Sequence, residues 1–183
     1  MREQADIRAI LKSGKLSSEL ELERAIILER KLRLMIKDHP ELAESRKELR
    51  SIIADYEKLN WSKDADIPKS LIKESDEAEQ IAEHERVFIE NRKKAIKDKL
   101  REMDLTQQDL GALLGHGKTY ISELVNGISP FVMRDLIIIH RLLGIKLEKL
   151  IPTVISHSDR KKLKANLSDL NRPELKLDGA ISH

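Results

Sequence analysis

The chain has 183 residues, of which 40% are hydrophobic and 36% charged, with a formal net charge of +2 and no cysteine. That length suits one or two small domains, and the lack of cysteine excludes disulfides and thiolate metal sites. No run of eighteen apolar residues or signal-peptide pattern occurs, so a cytoplasmic protein with no membrane partner is expected. The only aromatics are Tyr56, Trp61, Phe88, Tyr120 and Phe131, so the cores must be aliphatic. Charges are patterned along helix faces and β-branched alternation is rare, which predicts an all-α fold.

The near-neutral sum hides an uneven distribution. Residues 1–91 hold 17 Lys/Arg against 21 Asp/Glu, residues 92–152 hold 11 against 7, and residues 153–183 hold 6 against 4. A basic back half suits nucleic acid and an acidic front half suits a cationic partner.

In chain order, residues 3–12 predict a short helix with Ile7, Ile10 and Leu11 on one side, ended by Gly14. Ser17 or Ser18 then caps a long helix to about Asp38, where His39-Pro40 stops it. Leu20, Leu22, Ala25 to Leu28, Leu32 and Leu34 to Ile36 are too many apolar residues for one stripe, so burial from more than one side is expected. A third helix, about Pro40 to Leu59, offers Leu42, Leu49, Ile52, Ile53 and Tyr56. Two or three helices do not wrap such a surface alone, so dimer or partner contacts are expected through Leu20, Ile27, Leu34, Tyr56 and Trp61, the alternative being packing against the C-terminal domain. Trp61 opens a linker over residues 60–70, and it is expected either to pin that loop onto the helices or to face the partner.

A polar helix follows from about Ser75 to Asp104. Its first half is acidic, and its second half carries Arg92, Lys93, Lys94, Lys97, Lys99 and Arg101, cations suited to a phosphate backbone. The stretch Leu105 to Gly127, LTQQDLGALLGHGKTYISELVNG, then reads as two short helices around a glycine turn. Thr106 caps the first, which places Leu110, Leu113 and Leu114 on one stripe before Gly115 stops it. The second helix, from Gly117 or Lys118, buries Ile121, Leu124 and Val125 and closes at Asn126-Gly127. This is the geometry by which a second helix enters the major groove of DNA. A helix from Ser129-Pro130 to Gly144 and a last short one before Pro152 complete the expected domain, and a turn of helix is expected near Asp159 to Leu170. The divisions expected are an N-terminal helical partner-binding or dimerisation region (1–70), a connecting helix (71–91), a helix-turn-helix domain (92–152) and a tail (153–183).

The motif resembles that of the XRE, or phage-repressor-like, regulators. Leu105-Thr106-Gln107-Gln108, Leu110, Gly115, Ile121-Ser122 and Asn126-Gly127 match in register, and the likeness extends over roughly residues 88–152. It implies a five-helix domain, and it places Lys118, Thr119 and Glu123 where that family contacts bases. Lysine donates to guanine, threonine bonds or touches a thymine methyl, and glutamate accepts from cytosine. Gln107 and Asn126 are placed to meet phosphates, Thr106 and Gly117 are the helix caps of the DNA-binding set, and Tyr120 either stacks along the groove wall or bonds a phosphate. By the same resemblance, Ile145, Leu147 and Ile151 are the homodimer contact. Two departures stand out. Gly117 replaces the usual hydroxyl cap, and the neutral Ile128-Ser129-Pro130-Phe131 stands where many members carry a cation.

With the N-terminal stretches ERKLRLMIKDHP and ADYEKLNW, the whole is similar to the longer antitoxins of the HigA family. That likeness implies a dimer that binds double-stranded operator DNA to repress its own promoter, and a partner that is a small basic toxin cleaving mRNA at the ribosome. The alternatives are a stand-alone XRE-type repressor and a protein-interaction adaptor whose fold does not bind DNA. Gly115-His116-Gly117-Lys118-Thr119 is not a phosphate loop, since Ala112 replaces the required glycine and no strand precedes it. The six histidines show no metal spacing, and no nucleophile–base pair stands out. No cofactor, metal or enzymatic activity is expected.

Overall fold

The computed structural model describes residues 5–61, 69–152, 157–170 and 175. All regular elements among them are helical: α1 (Ile7–Ser13), α2 (Glu19–Met35), α3 (Ala43–Asn60), α4 (Lys69–Glu102), α5 (Gln107–Leu114), α6 (Lys118–Asn126), α7 (Met133–Leu143) and α8 (His157–Asp169), with short 3-10 turns at Pro40–Leu42 and Leu147–Lys149. The all-α expectation holds, with N-terminal helices followed by the helix-turn-helix domain, in which the last short helix expected before Pro152 is a three-residue 3-10 turn. The described residues up to Leu150 form one compact unit, and the unit beginning at Ile151 contains α8.

Local chemistry sets the helix ends. Asp6 caps α1 by accepting from the Arg8 amide at 3.1 Å, and Ser18 caps α2 by accepting from the Glu21 amide at 3.3 Å. Gly14 closes α1 in the left-handed region at φ 66°, a conformation that costs glycine little.

Helix α2 lies between α3 and α4. That position answers its surplus of apolar residues, because neighbours of the same chain bury it from two sides. Its Leu22, Ala25, Leu28 and Leu32 meet Ile7 of α1, Leu42, and Leu49 and Ile52 of α3 in one cluster. Of the residues expected at a dimer or partner surface, Leu20 and Ile27 are half-buried and Leu34 is 74% exposed. Tyr56 and Trp61 point inward to one acceptor, since both donate to Glu19 Oε1, at 2.8 and 3.2 Å. Burial and the adjacent carboxylate push the Tyr56 phenol up, so it stays a donor well past neutral pH. Trp61 therefore pins the end of α3 to the start of α2. Residues 62–68 of the expected linker lie outside the described residues.

Helix α4 runs for 34 residues without a break, across the division expected at residue 91. Its first half braces α2: Glu85 accepts from Arg24 at 2.8 and 2.5 Å, and Glu90 pairs with Lys31 at 3.5 Å. Its second half buries Ile96 and Leu100 in the downstream domain. Arg92 is not a backbone-facing cation. It lies buried between Phe88 and Phe131 and donates to the Leu150 carbonyl at 3.4 Å. Burial lowers its pKa to about 10, which still leaves it charged at neutral pH.

Gly127 ends α6 at φ 71°, and a Cβ built there would lie 2.4 Å from Ile89 Cγ2. Helix α4 thus passes directly against the turn after α6, and the β-branched Ile89 has little freedom to retreat. Gly127→Ala is expected to destabilise the fold by more than about 1 kcal/mol, combining positive φ with the clash. A denaturant titration checks this through the midpoint, with an unchanged m-value.

Candidate nucleic-acid interface

The helical hairpin is built by its own side chains. Thr106 Oγ1 accepts from the Asp109 amide at 3.1 Å, and the Asp109 carboxylate accepts from the Thr106 amide at 2.8 Å, a reciprocal box that starts α5. The Thr106 hydroxyl, which donates to the Asp109 carboxylate at 2.7 Å, and then the Thr106 amide hold that carboxyl below its ordinary value. Gly115, at φ 79°, ends α5, and the His116 amide donates back to the Gly111 carbonyl at 2.8 Å. His116 Nε2 lies 2.7 Å from Asp135 Oδ2, which ties the turn to the first turn of α7. Gly111 is required at the crossing, because a Cβ there would lie 3.0 Å from both the His116 carbonyl oxygen and Ile121 Cγ2.

Helix α6 buries Ile121, Leu124 and Val125 as its periodicity predicts. Its opposite face is not open. Glu123, expected to accept from cytosine, is only 6% exposed. Its Oε2 accepts from Arg8 Nη2 at 3.0 Å and from Ser129 Oγ at 3.1 Å. In this arrangement it cannot touch a base, because α1 stands over it and its carboxylate already has two donors. The Arg8 guanidinium also lies over the Tyr120 ring, 4.4 Å from the centroid, while His116 meets that ring edge-on at 5.0 Å. Thr119 donates from its hydroxyl to Glu41 Oε1 at 2.6 Å. Lys31 donates to the Asn126 carbonyl at 3.0 Å, and the Asn126 side-chain amide is used within α6, donating to the Ser122 carbonyl at 2.9 Å. Burial lowers the Lys31 pKa, and Glu90 opposes that shift.

Lys118 and Gly117 are exposed at the start of α6, and Gln107 is half-buried at the start of α5. Lys118 forms no ion pair among the described residues. The structure thus brings Thr106, Gln107, Gly117, Lys118, Thr119, Tyr120, Glu123 and Asn126 to one hairpin. It covers the outer side of α6 from Thr119 onward with residues of the N-terminal helices. The neutral stretch after Asn126-Gly127 acquires a reason: Ile128 is fully buried in the N-terminal cluster, the Ile7 amide donates to its carbonyl at 3.2 Å, and Ser129 serves Glu123.

Arg8, Lys31, Glu41, Ile128 and Ser129 carried no local signal for this role. Arg8 and Glu123 are 115 positions apart, so only the tertiary fold brings them together. The basic run of α4 is also partly compensated. Lys93 pairs with Glu90 at 3.6 Å, Lys99 with Glu102 at 2.5 Å, and Arg101 with Asp98. At the expected homodimer contact, Ile145 is buried inside its own chain and therefore cannot meet a partner as placed. Leu147 is exposed, and Ile151 opens the second unit.

Residues 96–150 match the family model described as helix-turn-helix. No curated protein and no solved structure matches the chain. The chain carries an XRE-type helix-turn-helix domain, the mark of DNA-binding transcription regulators. No helix among the described residues is long and apolar enough to cross a membrane.

The Glu41 carboxyl is held below its ordinary 4.5, first by the Thr119 hydroxyl. A carboxyl with a depressed folded-state pKa stabilises the fold above its ordinary value and loses that contribution as pH falls through the depressed one. Thr119→Val is expected to reduce the acid sensitivity of the melting temperature in that window and leave it unchanged at neutral pH relative to a Glu41→Gln, Thr119→Val double variant. Circular-dichroism melts across the carboxylate range check it.

Proposed function

We propose that the protein is a cytoplasmic transcriptional repressor that reads a double-stranded operator through the N-terminal end of α6. The observation that carries this reading is the exposed Lys118 at the first position of α6, on a hairpin whose cap, turn and crossing glycine have the groove-entering geometry. Lys118 and Thr119 read bases. Thr106, Gln107, Gly117 and Asn126 approach the backbone, and Lys94 and Lys97, exposed on α4, add non-specific attraction. Residues 104–152 hold five cations and five anions, so one copy binds weakly and a homodimer on a palindrome is the working form. Met133 and Ile137, exposed one turn apart on α7, and Leu147 are the apolar side chains available to that dimer.

A second reading is an antitoxin that also binds a small basic toxin. It is favoured by two large apolar side chains in the otherwise acidic N-terminal half, Leu34 at 74% and Leu59 at 82% exposure.

In a gel shift against a duplex selected from a random pool, Lys118→Ala and Thr119→Ala are each expected to weaken specific binding by about 1–3 kcal/mol. Unchanged binding in both places the reading surface elsewhere. Co-expression with the neighbouring reading frame tests the second reading. A complex that survives purification with the wild type and is lost with a Leu34→Asp, Leu59→Asp double variant supports it, and no complex with the wild type removes it.

A further inference from the structure

We propose that α1 and the Pro40–Leu42 turn form a latch that holds the N-terminal end of α6 out of the DNA groove. Operator binding then draws on an open form in which α1 has moved away about Gly14 and Glu41 has released Thr119. This inference rests on the DNA-reading role assigned to α6 above.

Three side chains of the reading face are held, each by the N-terminal helices. Thr119 is bonded to Glu41, Tyr120 lies under Arg8, and Glu123 is ion-paired with Arg8. Base edges cannot approach Glu123 while it is 6% exposed, and the Thr119 hydroxyl is taken up by the Glu41 carboxylate. The latched end of α6 is also the end that enters a groove first. The other end is also held by elements other than α1, with Lys31 of α2 on the Asn126 carbonyl, Gly127 against Ile89 of α4 and Ile128 among the leucines of α2 and α3, so it serves as the fixed point.

The latch is built to open. Helix α1 is seven residues long, with one buried side chain, Ile7, and with Ile10 and Leu11 half-buried against the same cluster. Its joint to α2, Ser13-Gly14-Lys15, is exposed, and Gly14 has no atom within 4 Å of its virtual Cβ. Its side-chain hold on α6 is Arg8, 59% exposed, and beyond it α1 meets the end of α6 through the Ile7 amide on the Ile128 carbonyl at 3.2 Å. Few buried apolar contacts and an open hinge are the marks of an element that detaches before the rest of a fold. The wild type therefore binds DNA with its intrinsic affinity reduced by the open fraction.

The test uses the full chain and a duplex selected from a random-sequence pool. Affinity is measured for the wild type, Arg8→Ala, Glu41→Ala, their double variant, and Lys12→Ala as a control on an exposed α1 position. Losing one charge-assisted bond that is half-screened by solvent is expected to raise the open fraction, and so tighten binding, about fivefold for Arg8→Ala. The double variant tightens it further, and Lys12→Ala leaves it unchanged. Removing a cation that merely touched phosphate would weaken binding instead. Hydrogen exchange on the wild type supplies the second readout, since α1 amides are expected to lose protection when duplex is added. Equal or weaker binding by the variants, with α1 still protected in the complex, overturns the latch and leaves the DNA-reading role intact. If no duplex is bound by the wild type or by any variant, the DNA-reading role itself fails and the latch falls with it.

Discussion

Ile128 follows the end of α6 and enters a core otherwise made wholly of N-terminal residues. Burying one isoleucine is worth about 1.5–3 kcal/mol, and here it fixes a position as well. The chain turns at Gly127, where α4 passes so close that no side chain fits, and the next residue drops between α1 and the α2–α3 pair. Once that side chain is seated, the outer face of α6 has to look toward α1. The pairing of Arg8 with Glu123, the hydroxyl of Ser129 beneath it and the bond from Thr119 to Glu41 all follow from that orientation.

The same constraint explains why charge is spent internally. A buried carboxylate is tolerable only where donors meet it, and Glu123 has two. Arg92 is tolerated between two aromatic rings at the base of the downstream domain for a related reason, a cation facing π clouds and a carbonyl. Several of the other cations of α4 pair with carboxylates on the same helix. Lys94 and Lys97 stay exposed on that helix, and with Lys118 they are the cations that the proposed DNA-reading role would turn to a phosphate backbone.

Helix α4 joins two jobs in one rod. Its first half braces α2 through Arg24–Glu85 and Lys31–Glu90, and its second half carries Ile96 and Leu100 into the helix-turn-helix core. A composition shift from acidic to basic runs along it, and that shift reads naturally as a border between regions. The backbone does not break there, because charge sign on a solvated face has no bearing on helix continuity.

Local rules carried much of the architecture. Thr106 with Asp109, Gly115 and Asn126-Gly127 place the hairpin to within a residue, since caps and left-handed glycines act through neighbours three to five positions away. The excess of apolar residues in α2 signalled burial from more than one side, and α3 and α4 of the same chain pack against it. What covers α6 was beyond such rules. Glu123 looks in sequence like any exposed polar residue of a reading helix, and Arg8 like any cation on a short amphipathic one. Their meeting depends on how two helical layers are seated by Ile128, a contact whose partners are far apart in the chain and have no periodicity in common. Short-range hydrogen bonding and hydrophobic period therefore determined which segments are helices and where they stop. Only long-range packing decided which face of α6 the solvent sees.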